Sequence, residues 1–221
     1  MQSIFRIPSD NMAGDAGRRV PIPYYTRRCG MVLSALSYLI IPIYTLLFVR
    51  GTDWFSSNFS VIGSLEEQKR AFAAWGILIS CTLYRMLFPL IEQAPFSRGK
   101  LRSTKKRRIC FVLLNLALLF LTAAIILPYV PSRFPLQAWL HIVFAFFSAV
   151  SLFLCLVFLI HGYYRNRPAL FRTPLQLLWS SFAVSLILLL VSGIVNSALE
   201  ILVTITACVL TRQMYRKVFG I

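Results

Sequence analysis

Six apolar runs, each close to the length of a bilayer-spanning helix, constrain this chain more than any other feature. A hydrocarbon core of roughly 30 Å needs about 20 residues of helix, and the runs 31–49, 71–91, 109–130, 138–160, 175–193 and 196–212 approach or meet that length. The last two almost merge. One helix over 175–211 would be about twice the bilayer thickness, whereas Gly193-Ile194-Val195-Asn196-Ser197 supplies the residues of a tight turn. With 58% hydrophobic residues, 14% charged and a mean hydropathy of +0.72, a water-soluble fold is excluded. The predicted fold is all-α, a polytopic six-transmembrane-helix bundle over 31–212 with basic tails at 1–30 and 213–221.

A net charge of +16 from 23 Lys and Arg against 7 Asp and Glu would fit a nucleic-acid binder if the charge were diffuse. Its placement argues otherwise. With both termini in the cytoplasm, the cytoplasmic segments hold Arg6, Arg18, Arg19, Arg27 and Arg28, then Arg98, Lys100, Arg102, Lys105, Lys106, Arg107 and Arg108. They also hold Arg165, Arg167, Arg172, Arg212, Arg216 and Lys217, which makes 18 of the 23. Lys and Arg accumulate on cytoplasmic loops, so an even number of spans with cytoplasmic termini is expected. The cluster at 98–108 lacks aromatics for base stacking and abuts the bilayer, so its predicted partner is anionic lipid and not nucleic acid. The run 31–49 is too long for a cleaved leader and no small-x-small site follows it, so the first helix is expected to stay. Cys29, Cys81, Cys110, Cys155 and Cys208 lie in spans or at their cytoplasmic edge, which favours neither a disulfide framework nor a metal cage.

Polar side chains are costly in lipid and turn toward other helices or a wet cavity. Stripes at helical spacing occur on three spans: His141, Ala145, Ser148 and Cys155; Ser181, Ser185 and Ser192; and Asn196, Glu200, Thr204, Cys208 and Thr211. Small and hydroxylated members fit close helix packing, but His141, Asn196 and Glu200 exceed what packing requires. His141 and Glu200 fall near the outer ends of their spans, level with the outer loop 50–70 and its Asp53, Ser57, Asn58 and Ser60. These seven residues form the predicted site, an outward-facing polar pocket. The plainer alternative is an interfacial histidine and a glutamate capping the first turn of its helix. A second polar layer, Arg85, Asn115 and Ser181, is expected nearer the cytoplasm. Arg85 either snorkels to the headgroups or bonds Asn115 and holds a lipid phosphate or substrate anion.

Two histidines exclude an H-E-x-x-H zinc site, and neither a G-x-S-x-G elbow nor a phosphate-binding glycine loop occurs. No metal or cofactor is expected. Asn58-Phe59-Ser60 matches a glycosylation sequon on the predicted outer side. The segment WFSSNFSVIGSLEEQKRAFAAWGIL, within a six-helix chain of this length, resembles bacterial integral-membrane proteins of uncharacterised function allied to the DRAM/Frag/Sfk type. Ser57-Asn58-Phe59-Ser60-Val61-Ile62-Gly63 resembles their Ser/Asn-containing first outer loop. Pro135 and His141 resemble the proline and histidine that open the fourth helix, and Glu200 the acidic residue of the last. The resemblance implies fold and topology, and some eukaryotic relatives are linked to lipid handling or autophagy. Three functions follow in order of expectation: binding or moving a lipid or small amphiphile through the outer pocket; a regulatory or structural subunit using the basic face; and a membrane-embedded lipid-modifying enzyme with His141 as base and Asp53 or Glu200 orienting it.

Overall fold

The computed structural model describes residues 24–96 and 100–220, with side chains placed for 30–96 and 104–220. Arg6, Arg18, Arg19 and Arg98, and the side chains of Arg27, Arg28, Lys100 and Arg102, lie outside the described residues. The described chain is all-helical: α1 Tyr24–Ala35, a π-helical turn Leu36–Ile40, α2 Ile41–Phe48, α3 Phe59–Ser64, α4 Lys69–Glu92, α5 Lys100–Ile126, α6 Pro135–Asn166, α7 Pro168–Ser192 and α8 Ser197–Phe219. Six helical stretches are long and apolar enough to cross a membrane, the first running from Gly30 to Phe48 through the π turn.

Prolines set several of the boundaries. Pro42 has no N–H to give the Tyr38 carbonyl and its ring crowds that carbonyl, and the π turn at Leu36–Ile40 widens the helix there. Pro128 stops α5 at Ile126, four residues short of the expected end at 130. At the opposite side of the bundle the helices run longer than expected. α6 continues to Asn166, α7 starts at Pro168 with Arg167 alone between them, and α8 carries the expected tail 213–221 on as helix to Phe219. The tight turn foreseen at 193–197 is present, with Gly193 in the left-handed region at φ 67°.

The spans pack as a ring. α5 packs along α6, α7 joins α6 to α8, and α8 returns to α4, which closes on α5. The first span sits against both α4 and α8. α7 is the least enclosed, with Val184, Ile187, Leu190 and Val191 exposed as expected of a lipid-facing surface. At one end, the loop end, the 49–68 connection folds over the bundle; at the other, the basic end, Arg212 of α8 meets Gly30 at the start of the first span.

The loop end is anchored by aromatic rings. Phe59 of α3 is 1% exposed and meets Phe48 and Trp75 edge-on, at 5.6 and 5.1 Å between centroids. Phe72 stacks between the same two neighbours at 5.8 and 5.7 Å, and the Trp75 indole donates to Thr45 Oγ1 at 3.0 Å. Each such ring pair is worth about 0.5–1.5 kcal/mol beyond its buried area, enough to hold a six-residue helix that would not form alone. Gly63 makes the approach possible, because a Cβ there would lie 2.6 Å from the Phe72 ring. Phe72 is wedged between two rings and cannot yield. Gly63→Ala is therefore expected to lower stability by about 1–3 kcal/mol, read as a fall in the unfolding midpoint of the detergent-solubilised protein, and an unchanged midpoint would contradict this packing.

Candidate functional site

The loop end gathers its polar groups through α3. Asn58 caps that helix by accepting the Val61 N–H at 2.8 Å, and Asn196 caps α8 by accepting the Leu199 N–H at 3.0 Å. The remaining N–H groups of the first α8 turn are used as well. Ser197 and Ala198 donate to the carbonyls of Ser57 and Trp54, at 2.7 and 3.1 Å, and Glu200 N–H to Asn196 O at 3.1 Å. The loop thus serves as a backbone cap for α8. The Ser197 hydroxyl also donates to Ser57 O at 3.1 Å.

Two consecutive residues of α3 then reach two different spans. The Phe59 N–H donates to Glu200 Oε2 on α8 at 2.6 Å. Ser60 Oγ lies 2.6 Å from His141 Nε2 on α6. His141 Nδ1 is 2.8 Å from the Leu127 carbonyl, and a carbonyl only accepts, so Nδ1 carries the proton. Nε2 of the neutral ring is then a lone pair, and Ser60 is its donor. Pro128 sets up this arrangement by ending α5, which leaves the Leu127 carbonyl without a helical partner. Tyr129 flanks the imidazole with its ring centroid 5.8 Å away.

The structure brings six of the seven predicted residues together: Ser57, Asn58, Ser60, His141, Asn196 and Glu200. They do not form an open pocket of equal members. His141 is 3% exposed and Asn196 fully buried, whereas Ser57, Asn58 and Ser60 are half-buried and form the accessible rim, and the carboxyl end of Glu200 is turned inward onto the Phe59 N–H. Asp53 is the exception. Its carboxylate turns back on its own loop, accepting from Phe55 N–H at 3.1 Å and Ser56 Oγ at 2.7 Å, because an Asx turn satisfies it locally. Those bonds, from Ser56 first and then Phe55, hold the exposed Asp53 carboxyl below its ordinary value. It does not orient His141; the Leu127 carbonyl does.

The second predicted layer is not assembled as drawn. Asn115 donates to Phe111 O on its own helix at 2.8 Å, a local side-chain-to-backbone bond. Asn115 instead lines a groove of about 640 Å³ along α5, with Arg107 and Arg108 at its basic end and Phe111, Leu116 and Leu119 further in. Arg85 is exposed and Ser181 half-buried on their own spans.

Arg212, one of the basic residues expected in the cytoplasmic segments, is buried among the helices. Arg212 is 2% exposed; its Nε donates to Ser34 Oγ at 2.8 Å and its Nη2 to Gly30 O at 3.0 Å, with the guanidinium 5.6 Å from the centre of the Tyr215 ring. Its signal was its register, one turn beyond Thr204 and Cys208 on the same stripe. Lys217 donates to Leu170 O at 2.8 Å, a carbonyl freed by Pro174 four residues on.

Among the described residues no group of three His, Cys, Asp or Glu is placed to hold a metal ion. No protein-family model, no curated protein and no solved structure matches this chain.

Proposed function

We propose that this multi-pass membrane protein binds or moves a lipid or small amphiphile, taking the polar head at the loop end, with both termini in the cytoplasm. The carrying observation is the pair of contacts made by consecutive residues, Phe59 N–H to Glu200 and Ser60 to His141. A carboxylate and an imidazole within spanning helices are expensive unless they serve a ligand or one another. His141 lies six residues into α6 and Glu200 three into α8, depths of about 9 and 5 Å from the helix starts, near the level where lipid ester and headgroup atoms lie. The half-buried rim of Ser57, Asn58 and Ser60 offers hydroxyls and an amide to such a head, with His141, Asn196 and Glu200 supporting it from beneath. The concentration of 18 of 23 basic residues on alternate connections supports the orientation.

A photoreactive lysophosphatidylcholine in nanodiscs tests the reading. Crosslinks are expected on residues 57–60 and at the starts of α6 and α8, and to fall about tenfold in His141→Gln. Crosslinks spread evenly over the apolar faces of all six spans would overturn it. The α5 groove favours a second contact at the basic end, an anionic lipid with its phosphate against Arg107 and Arg108.

A further inference from the structure

We infer that Ser60 is a nucleophile with His141 as its general base, and that the loop end cleaves or transfers the acyl group of a membrane-lipid carboxylic ester. This rests on the reading of the loop end as a lipid-binding site and adds covalent chemistry to it. A serine hydroxyl is a weak nucleophile until a base takes its proton, and the structural signature is a serine and a base within hydrogen-bond reach, the base oriented by a third group. Ser60, His141 and the Leu127 carbonyl meet that description at 2.6 and 2.8 Å. The tautomer is the productive one. Nδ1–H is held by a carbonyl that stabilises the ring when it gains a second proton, and Nε2 faces the hydroxyl.

Comparison with other serines isolates Ser60. Ser34, Ser64, Ser148, Ser180 and Ser192 all direct their hydroxyls to backbone carbonyls, which accept a hydrogen bond but cannot take the proton. Ser60 alone among the described residues faces an imidazole nitrogen. The surrounding fold holds it there: Phe59 is locked in the aromatic cluster and its N–H on Glu200, which leaves the next side chain little freedom. The half-buried hydroxyl is reachable while the base beneath it is screened from water.

In the reaction, Ser60 Oγ adds to the ester carbonyl carbon while its proton passes to His141 Nε2. Collapse of the tetrahedral adduct breaks the bond to the alkoxy oxygen; the alcohol half leaves with the proton from His141, and an acyl ester of Ser60 remains. Water, or a second alcohol, attacks that ester with His141 again as base, releasing the acid or a new ester and restoring Ser60.

A long-chain alkyl fluorophosphonate tests this on the full-length protein in nanodiscs, since Ser60 would displace fluoride and keep the phosphonyl group. The expected result is an adduct on the peptide carrying Ser60, absent from Ser60→Ala, retained in Ser64→Ala, and formed about 10²-fold more slowly or worse in His141→Gln. Unfolding midpoints of the variants establish that they are folded. If His141→Gln does not fold, the adduct site in the unaltered protein still decides the matter. No adduct at Ser60 overturns the covalent step, and if lipid crosslinking at 57–60 persists, binding survives without it. Equal labelling of folded His141→Gln overturns the role of the base.

Discussion

Arg212→Ala is expected to destabilise the protein by about 2–3 kcal/mol, although an arginine at the end of a spanning helix would ordinarily be thought dispensable. Hydrogen bonds to charged groups are each worth about 1.5–3 kcal/mol, and among the described residues the side chain donates to Ser34 Oγ and to Gly30 O and also contacts Tyr215. The loss is less than their sum, because Ser34 keeps its own bond to the Gly30 carbonyl at 3.0 Å and neither partner is left bare. Arg212→Lys should recover only part of the loss, since an ammonium on a flexible stem cannot span both acceptors as the planar fork does. Arg216→Ala, one turn further along α8 and exposed, should have an effect within about 0.5 kcal/mol. Unfolding in mixed micelles titrated with a denaturing detergent measures all three. If the Arg212 and Arg216 variants unfold alike, the clamp between the first span and α8 contributes nothing.

What the sequence revealed of this architecture, and what it concealed, depends on the range of the interaction. Spans are visible because length and hydropathy are properties of contiguous residues. His141, Asn196 and Glu200 were visible because a polar group on an apolar helix is costly wherever it lies, so its presence calls for a partner. The identity of that partner was not visible. α3 is six residues long and carries no periodic pattern; it exists because Phe59 finds Phe48 and Trp75 across sequence gaps of 11 and 16 residues. Without α3 in view, Asp53 was the nearest acid for the histidine, yet an Asp two or three residues before available donors satisfies itself in a turn. Asn115 was drawn toward Arg85 by depth alone and is satisfied one turn back on its own helix. Arg212 reads as a topological charge because basic residues at helix ends usually are, and only its register with Thr204 and Cys208 signals its burial.

Glu200→Ala is expected to cost about 2–3 kcal/mol and to act beyond its own contact, because Glu200 fixes the backbone that presents Ser60. Removing this acceptor leaves the Phe59 N–H unsatisfied near the aromatic cluster, and an unsatisfied buried donor costs about 1–3 kcal/mol. The bonds from Ser197 and Ala198 to Ser57 and Trp54 hold the preceding loop, and Asn58 still caps α3, so the loop should loosen without detaching. Glu200→Gln keeps an acceptor oxygen within reach and should retain about half the stabilisation or more. Amide exchange at Phe59 reports this directly, rising most in the alanine variant, less in the glutamine variant and not at all if the 2.6 Å contact carries no weight. Because Phe59 and Ser60 are consecutive, the substitutions Glu200→Gln and His141→Gln should not add. A double-mutant cycle on unfolding should give a coupling of about 0.5–3 kcal/mol, as for residues sharing one network. Full additivity would mean that α6 and α8 are gripped by α3 independently, and that Glu200 plays no part in aiming Ser60 at the imidazole.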